Sequence, residues 1–120
     1  MLTVLIADDD GLSRAEAHDE LRTAGYRVAC AAGSLEALKM AEAQCPDIVV
    51  TDVRFGAGEP YGFALGRMLR ARFPKLPIIY ITGYPDLASR EPVAAPVLVK
   101  PLEAGALAAE VAAQLAKLQD

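Results

Sequence analysis

The chain has 120 residues, of which 53% are hydrophobic and 23% are charged, and its formal net charge is −4. This length suits a single domain with a real core, and this composition argues against disorder. An acidic chain is poorly suited to nucleic acid, whose non-specific binding draws on lysine and arginine. No apolar run approaches the roughly 20 residues of a membrane-spanning helix, so we expect neither nucleic-acid nor membrane binding.

Strand-like and helix-like segments alternate along the chain. We predict strands over Leu2–Ala7, Tyr26–Ala31, Ile48–Thr51, Ile78–Ile81 and Val97–Val99. We predict helices over Gly11–Ala24, Leu35–Ala43, the stretch from Phe63 to Phe73, and Glu103–Lys117. Ser34 is the expected cap of the second helix, with Leu35 facing inward. This alternation predicts one parallel sheet that is covered by helices on both faces.

The chemically reactive side chains outside this pattern are few. Cys30 and Cys45 have neither metal-binding spacing nor C-x-x-C pairing, which indicates reduced packing residues in a cytoplasmic protein. The single histidine, His18, lies on a polar helical segment and is interpreted as solvated. A Ser-His-Asp hydrolase therefore has almost nothing to be built from.

Polar residues follow four of the predicted strands. Asp8 and Asp9 follow the first strand, Asp52 the third, Thr82 the fourth and Lys100 the fifth. Because ligands of open parallel sheets bind outside the carboxyl ends of the strands, we expect these residues to share one site. Clustered carboxylates suit a small divalent cation such as Mg²⁺, which would relieve their mutual repulsion. Aspartate can also accept a phosphoryl group covalently, and phosphoryl transfer needs mainly positioning and charge neutralisation.

Together these motifs resemble the receiver domain of two-component response regulators, the CheY-like family. The matching pieces are the acidic pair in LIADDD, the acceptor in DIVVTD, the threonine in IIYITG and the lysine-proline in VLVKP. The resemblance covers about residues 2 to 118, and its motifs are specific because all four occur in this order. It implies a single receiver domain over residues 1–120, with a flavodoxin-like five-stranded parallel sheet of order 2-1-3-4-5.

The resemblance also implies a role for each matched residue. Asp52 would be the phosphoacceptor, and the donor would be a phosphohistidine on a histidine kinase or a histidine phosphotransfer protein. Asp9 would bind Mg²⁺ directly, Asp8 directly or through water, and Asp52 and the backbone carbonyl of Arg54 would complete the protein ligands.

Two further residues would act on the phosphoryl group. Lys100 would pair with Asp52 or its phosphate, and Thr82 would swing to bond the phosphoryl oxygens and so report the modification. The protein would catalyse only its own phosphorylation and dephosphorylation and would not otherwise be an enzyme. Asp10 matches no active position, and we interpret it as the cap of the first helix.

The sequence departs from the family pattern in three places. Val97 stands where the family carries an aromatic switch residue. The loop from Asp52 to Gly62 is about two residues longer than usual and carries glycines where Pro-Gly is expected. The segment between Thr82 and Lys100 contains three prolines, so the family's fourth helix is expected to be short or disordered, with at most a turn or two between Asp86 and Arg90.

The Thr82-Gly83-Tyr84 run resembles a receiver subgroup with a Thr-Gly-Tyr motif and an atypical fourth helix. Tyr84 would then replace the missing aromatic as the moving reporter, although a partly exposed loop residue is an equal alternative. In the family, the positions of Arg54 and Tyr84 influence how fast water removes the phosphoryl group. Both side chains are large here, so we expect slower self-dephosphorylation than with small residues at these positions.

Two other functions compete with this interpretation. One is a binding module of the same fold that no longer signals by phosphorylation, which Val97 and the altered loop favour slightly. The other is an aspartate-nucleophile phosphatase or a flavin carrier, which the short chain and the acids after the first strand disfavour. No output domain is apparent, so we expect a stand-alone receiver, monomeric or weakly dimeric, that acts on another protein or passes its phosphoryl group on.

Overall fold

A computed structural model describes residues 1–56, 58–84 and 95–118 of the chain. The strands are β1 (Thr3–Ala7), β2 (Arg27–Ala31), β3 (Ile48–Asp52), β4 (Ile78–Thr82) and β5 (Val97–Val99). The described helices are α1 (Gly11–Thr23), α2 (Ser34–Gln44), α3 (Gly62–Arg72) and α4 (Ala106–Lys117). None of these helices is both long and apolar enough to cross a membrane.

The five strands form one parallel sheet in the order β2-β1-β3-β4-β5, which confirms the predicted fold class. The chain moves outward from β1 to β2 and then returns to β3 on the other side of β1. This reversal of direction opens a crevice at the carboxyl ends of β1 and β3. The register pairs Ala7 with Thr51, so Asp8 and Asp52, the next residues, arrive at the same edge.

The sheet is covered on both faces, as its uninterrupted apolar strands require. Helices α2 and α3 pack on one face, and α1 and α4 pack on the other. Their buried apolar residues are Ala37, Ala41, Phe63, Leu65 and Leu69 on the first face, and Ala17, Leu21, Leu107, Val111 and Leu115 on the second. The two apolar layers bury both faces of the sheet, whereas the polar residues Asp8, Asp52 and Thr82 lie at its carboxyl edge.

The start of α2 differs from the prediction. Its N-cap is Gly33 rather than Ser34, and Leu35, predicted to face inward, is 47% exposed. The reason is the helical period: Ala37 and Ala41 are one turn apart and occupy the inward stripe, which turns Leu35 toward solvent.

Two other predicted helix ends can be compared with the structure. Asp10 caps α1 as predicted, because its Oδ1 accepts a hydrogen bond from the Leu12 amide at 3.2 Å. Helix α4 begins at Ala106 rather than Glu103, since Gly105 has a φ of +83° and precedes the first helical turn. The predicted short helix between Asp86 and Arg90 lies outside the described residues.

Candidate phosphoacceptor and metal site

Three carboxylates meet at the carboxyl edge of the sheet. Asp8 and Asp9 follow β1, and Asp52 is the last residue of β3. One oxygen atom of each lies within 4.8 Å of one oxygen of the other two. Asp8 and Asp52 are buried while Asp9 is exposed, so the group is open to solvent on one side. Three hard oxygen ligands in this arrangement fit a small divalent cation such as Mg²⁺.

Hydrogen bonds to both its side chain and its backbone hold Asp8 in place. Its Oδ2 accepts a hydrogen bond from the Lys100 ammonium at 3.0 Å, and its Oδ1 accepts one from the Asp10 amide at 3.0 Å. Its backbone carbonyl accepts a hydrogen bond from the Arg14 guanidinium at 2.8 Å. Its own amide donates to the Ala31 carbonyl at 3.1 Å. These bonds fix the end of β1 and the direction of the carboxylate.

Asp52 is held less firmly. Its Oδ1 accepts a hydrogen bond from the Val53 amide at 2.9 Å, and its Oδ2 lies 3.5 Å from the Lys100 ammonium. Burial, followed by the negative charge of Asp8, raises the pKa of Asp52 to about 6, although Lys100 and Val53 act in the opposite direction. The charged form of Asp52 is therefore disfavoured by burial and by Asp8, and Lys100 offsets this only in part.

Lys100 follows β5 and reaches both buried carboxylates. The sequence suggested a partnership with Asp52, but the ammonium is closer to Asp8, at 3.0 Å, than to Asp52, at 3.5 Å. Burial alone would lower the pKa of Lys100, yet the hydrogen bond to Asp8 and the charge of Asp52 together raise it. Lys100 therefore remains an ammonium group and serves as the built-in counter-charge of this site.

A cavity of about 440 Å³ opens over Asp52, with Asp9 and Lys100 also in its wall. Arg54 and Tyr84 line its mouth, and the Arg54 guanidinium carbon lies 4.9 Å from the centre of the Tyr84 ring, a cation–π contact. The two side chains come from the loops after β3 and β4, so their contact connects these two loops beside the cavity.

Thr82 ends β4 and is fully buried. Its Oγ1 accepts a hydrogen bond from the Tyr84 amide at 2.8 Å, and its carbonyl accepts one from the Lys100 amide at 2.8 Å. Thr82 is thus connected to the loop that carries Tyr84 and to the strand end that carries Lys100.

One edge of the sheet carries the residues that the sequence suggested for the site. They are Asp8, Asp9, Asp52, Thr82, Lys100, Arg54 and Tyr84. Sequence reasoning missed Arg14, which holds the Asp8 carbonyl, and Glu59, whose carboxylate lies at the start of α2. Arg14 has a weak signal, because it lies one turn after the Asp10 cap and can reach back to the strand end. Glu59 has none, since its partner is 24 residues earlier in the chain.

The model of the response regulator receiver domain family matches residues 4–112. The chain therefore belongs to this family, as its motifs suggested, and it has the CheY-like fold.

Two curated relatives are transcriptional regulators. The chain is 34% identical over 119 residues to transcriptional regulatory protein AfsQ1 of Streptomyces coelicolor, an alignment that covers 96% of this chain and 52% of the relative. It is 35% identical over 85 residues to the C4-dicarboxylate transport transcriptional regulatory protein DctD of Rhizobium meliloti, covering 71% of this chain and 18% of the relative. The chain thus spans about half or less of the length of these relatives.

Solved structures agree with the fold. A response regulator receiver protein from Sinorhizobium medicae superposes with a TM-score of 0.84 at 30% identity, covering 96% of this chain and 94% of that one. A CheY-like receiver domain protein from Methanospirillum hungatei has a TM-score of 0.88 at 23% identity, covering 99% and 97% of the two chains. The second likeness concerns the fold alone.

Proposed function

We propose that the chain is a phosphoacceptor receiver in which Asp52 accepts a phosphoryl group from a phosphohistidine of a histidine kinase or histidine phosphotransfer protein. An Asp52 oxygen attacks the phosphorus, the P–N bond breaks, and the imidazole leaves with the bonding electron pair. The observation that carries the proposal is the position of the Asp52 carboxylate, which lies at an open cavity beside Asp9 and Lys100 and close to Asp8. Apart from this self-modification, we propose no enzymatic activity.

Mg²⁺ is the proposed cofactor. Asp8, Asp9 and Asp52, with the backbone carbonyl of Arg54, would hold it, and support comes from the mutual approach of the three carboxylates. When bound, the cation would neutralise charge on the phosphoryl oxygens and on the carboxylates.

Lys100 and Thr82 are the proposed phosphoryl-binding side chains. The Lys100 ammonium, 3.5 Å from the Asp52 Oδ2, is near enough to pair with an oxygen of the new phosphoryl group. The Thr82 hydroxyl accepts a hydrogen bond from the Tyr84 amide. Reorientation of this hydroxyl toward a phosphoryl group would therefore alter that bond and affect the loop that carries Tyr84. This coupling supports Tyr84 as the reporter in place of the absent aromatic at Val97, in a Thr-Gly-Tyr subgroup with an atypical fourth helix. Tyr84→Ala should then abolish the conformational change that phosphorylation causes. Persistence of that change in the variant would refute this role for Tyr84.

The output is proposed to be protein interaction or onward phosphotransfer by a cytoplasmic monomer or weak dimer. Its named relatives are transcriptional regulators, but the chain corresponds to 52% and 18% of their lengths. The alternative is a receiver-fold binding module that does not use phosphorylation. Val97, where an aromatic is usual, is the feature that favours it.

Intact-mass measurement after incubation with acetyl phosphate and Mg²⁺ tests the proposal. We expect the mass of one phosphoryl group on the wild type, and none after Mg²⁺ is removed by a chelator or in Asp52→Asn. Asp47→Asn is a matched control, because Asp47 bonds the Thr3 amide away from the site. Absence of labelling, under conditions in which another receiver is labelled, would favour the binding module.

A further inference from the structure

The start of α2 has no cap of its own. The N-cap residue is Gly33, which has no side chain to offer, and the first turn of any helix carries amide groups without partners inside the helix. Ser34, the first helical residue, does not compensate, because its buried hydroxyl has no hydrogen-bond partner among the described residues. The first turn therefore receives no side-chain cap from Gly33 or Ser34.

Glu59, in the loop between β3 and α3, supplies that acceptor. Its Oε1 accepts a hydrogen bond from the Leu35 amide at 3.3 Å, which is the amide that an N-cap side chain normally serves. A carboxylate is also favoured at this end of a helix by the helix dipole. The cap of α2 is thus provided by the loop that follows the acceptor strand.

Gly33 provides the space for this carboxylate. A Cβ atom built on Gly33 would overlap the Glu59 carboxylate, so a larger residue at this position would displace the end of that side chain. The φ of Gly33 is −155°, an extended conformation that any residue adopts, so the backbone does not require glycine here. What glycine provides here is the space that the Glu59 carboxylate occupies.

The loop that Glu59 belongs to is also fixed at its base. The Gly62 amide donates to the Val53 carbonyl at 2.7 Å, and the Val53 amide donates to the Ile81 carbonyl at 3.0 Å. Arg54 lies between this base and Glu59, whose own amide donates to the Gly56 carbonyl at 3.3 Å. Glu59 therefore anchors the part of the loop nearer α3, while the part nearer β3 flanks Asp52.

We propose that Glu59 is a positioning residue that latches the β3–α3 loop to the amino terminus of α2. The latch holds Arg54, both its backbone carbonyl and its side chain, at the mouth of the cavity over Asp52. The consequence for Mg²⁺ rests on the proposed function, whereas the latch itself does not depend on it.

Amide hydrogen exchange without metal tests the latch directly. In Glu59→Ala, exchange at Leu35 and at Glu59's position should accelerate about fivefold, the equivalent of one lost helix cap. Glu59→Gln, which keeps an acceptor oxygen, should restore part of the protection. Glu36→Ala is the matched control: it removes another carboxylate near the same helix start, bonded to the Ala32 amide, without touching the loop.

Substitutions at Gly33 separate capping from positioning. Gly33→Ser introduces a hydroxyl that can cap α2 but must displace Glu59, so Leu35 should stay protected while the amide of Glu59 loses protection. Gly33→Ala must also displace Glu59 but adds no hydroxyl, so the amides of both Leu35 and Glu59 should lose protection from exchange. Unchanged exchange at Glu59 in both variants would overturn the latch.

Mg²⁺ titration then tests the consequence for the site. The Kd for Mg²⁺, measured by NMR shifts of the Asp9 and Asp52 amides, should rise roughly tenfold in Gly33→Ser and Glu59→Ala, the lower end of what losing an outer-shell partner costs. An unchanged Kd alongside a faster-exchanging loop would overturn the positioning role. If the wild type itself binds no Mg²⁺, the proposed function fails, while the exchange result still decides the latch.

Discussion

The ends of β1 and β3 carry two buried carboxylates in very different environments. Asp8 is completely inaccessible and receives a lysine ammonium at 3.0 Å and a backbone amide at 3.0 Å. Asp52 is 7% exposed, receives one backbone amide at 2.9 Å, and lies 3.5 Å from the same ammonium. The pKa of Asp52 is accordingly raised to about 6 by burial and by the neighbouring charge of Asp8.

This difference separates an anchor from a reactive group. Asp8 uses its partners to fix Lys100 and the end of β1, and each of its two carboxylate oxygens accepts a hydrogen bond from the protein. Asp52 has a weaker ion pair with Lys100, a raised pKa and an open cavity in front of it. A carboxylate of this kind gains most from a bound cation or from covalent modification, which supports its assignment as the phosphoacceptor.

Lys100→Met should produce the largest effect, because it removes the counter-charge of both carboxylates while keeping the length of the side chain. We expect the free energy of unfolding to fall by about 2–4 kcal/mol, since a buried carboxylate is left without its ion pair. Urea denaturation at pH 7 measures it. Adding Asp8→Asn to Lys100→Met should recover more stability than adding Asp52→Asn, because Asp8 is the closer partner.

Lys75→Met is the control for this prediction, since Lys75 is exposed and makes no ion pair with the described residues. Its free energy of unfolding should stay within about 0.5 kcal/mol of the wild type. Equal losses for the two lysine substitutions would contradict the central place of Lys100 in the site.

Asp52→Asn should stabilise the metal-free protein at neutral pH. The pKa of Asp52 is about 6 in the folded state against an ordinary value of 3.8, so the folded state retains a proton that the unfolded state has released between these values. Wild-type stability should therefore fall as pH rises from about 4 to about 6 and then level off. Asn avoids this loss, which for a shift of about two pKa units is worth roughly 3 kcal/mol once the pH is well above 6.

Thermal unfolding of the wild type and Asp52→Asn between pH 4.5 and 8 measures this difference. Mg²⁺ should reduce the difference in stability between the two proteins, because it should stabilise the wild type more than Asp52→Asn. Asp8→Asn is the contrasting control and should destabilise at pH 7, because it weakens the bond to Lys100. If both substitutions changed stability in the same direction, the distinction between anchor and reactive group would be wrong.

The sequence predicted the fold and the composition of this edge, because strand ends and sheet topology determine where Asp8, Asp52 and Lys100 arrive. It did not reveal which carboxylate Lys100 prefers, since that depends on differences of about half an ångström between tertiary distances. It also assigned the α2 cap to Ser34, because a local pattern cannot show that Glu59 reaches the helix from a loop 24 residues away from Leu35.

The smallest predicted effect concerns the mouth of the cavity, where Arg54 and Tyr84 stack at 4.9 Å. Each should shield a phosphoryl group on Asp52 from water, so Arg54→Ala and Tyr84→Ala should both accelerate its loss. Because the two act as one stacked unit, the double substitution should accelerate it less than the product of the single effects. An exposed cation–π contact is worth about 0.5–1 kcal/mol, which predicts a shortfall of roughly two- to fivefold.

Release of inorganic phosphate from purified phosphoprotein, followed for the wild type, both single variants and the double variant, measures this coupling. Tyr84→Phe should behave like the wild type, since the ring face that contacts Arg54 is kept. Tyr61→Ala serves as a control, because Tyr61 is similarly exposed, at 48% against 53% for Tyr84, but does not line the cavity over Asp52. Strictly multiplicative effects would mean that Arg54 and Tyr84 shield the phosphoryl group independently. No acceleration in any variant would mean that the electrostatics of Asp52, rather than shielding by these side chains, governs the loss of the phosphoryl group.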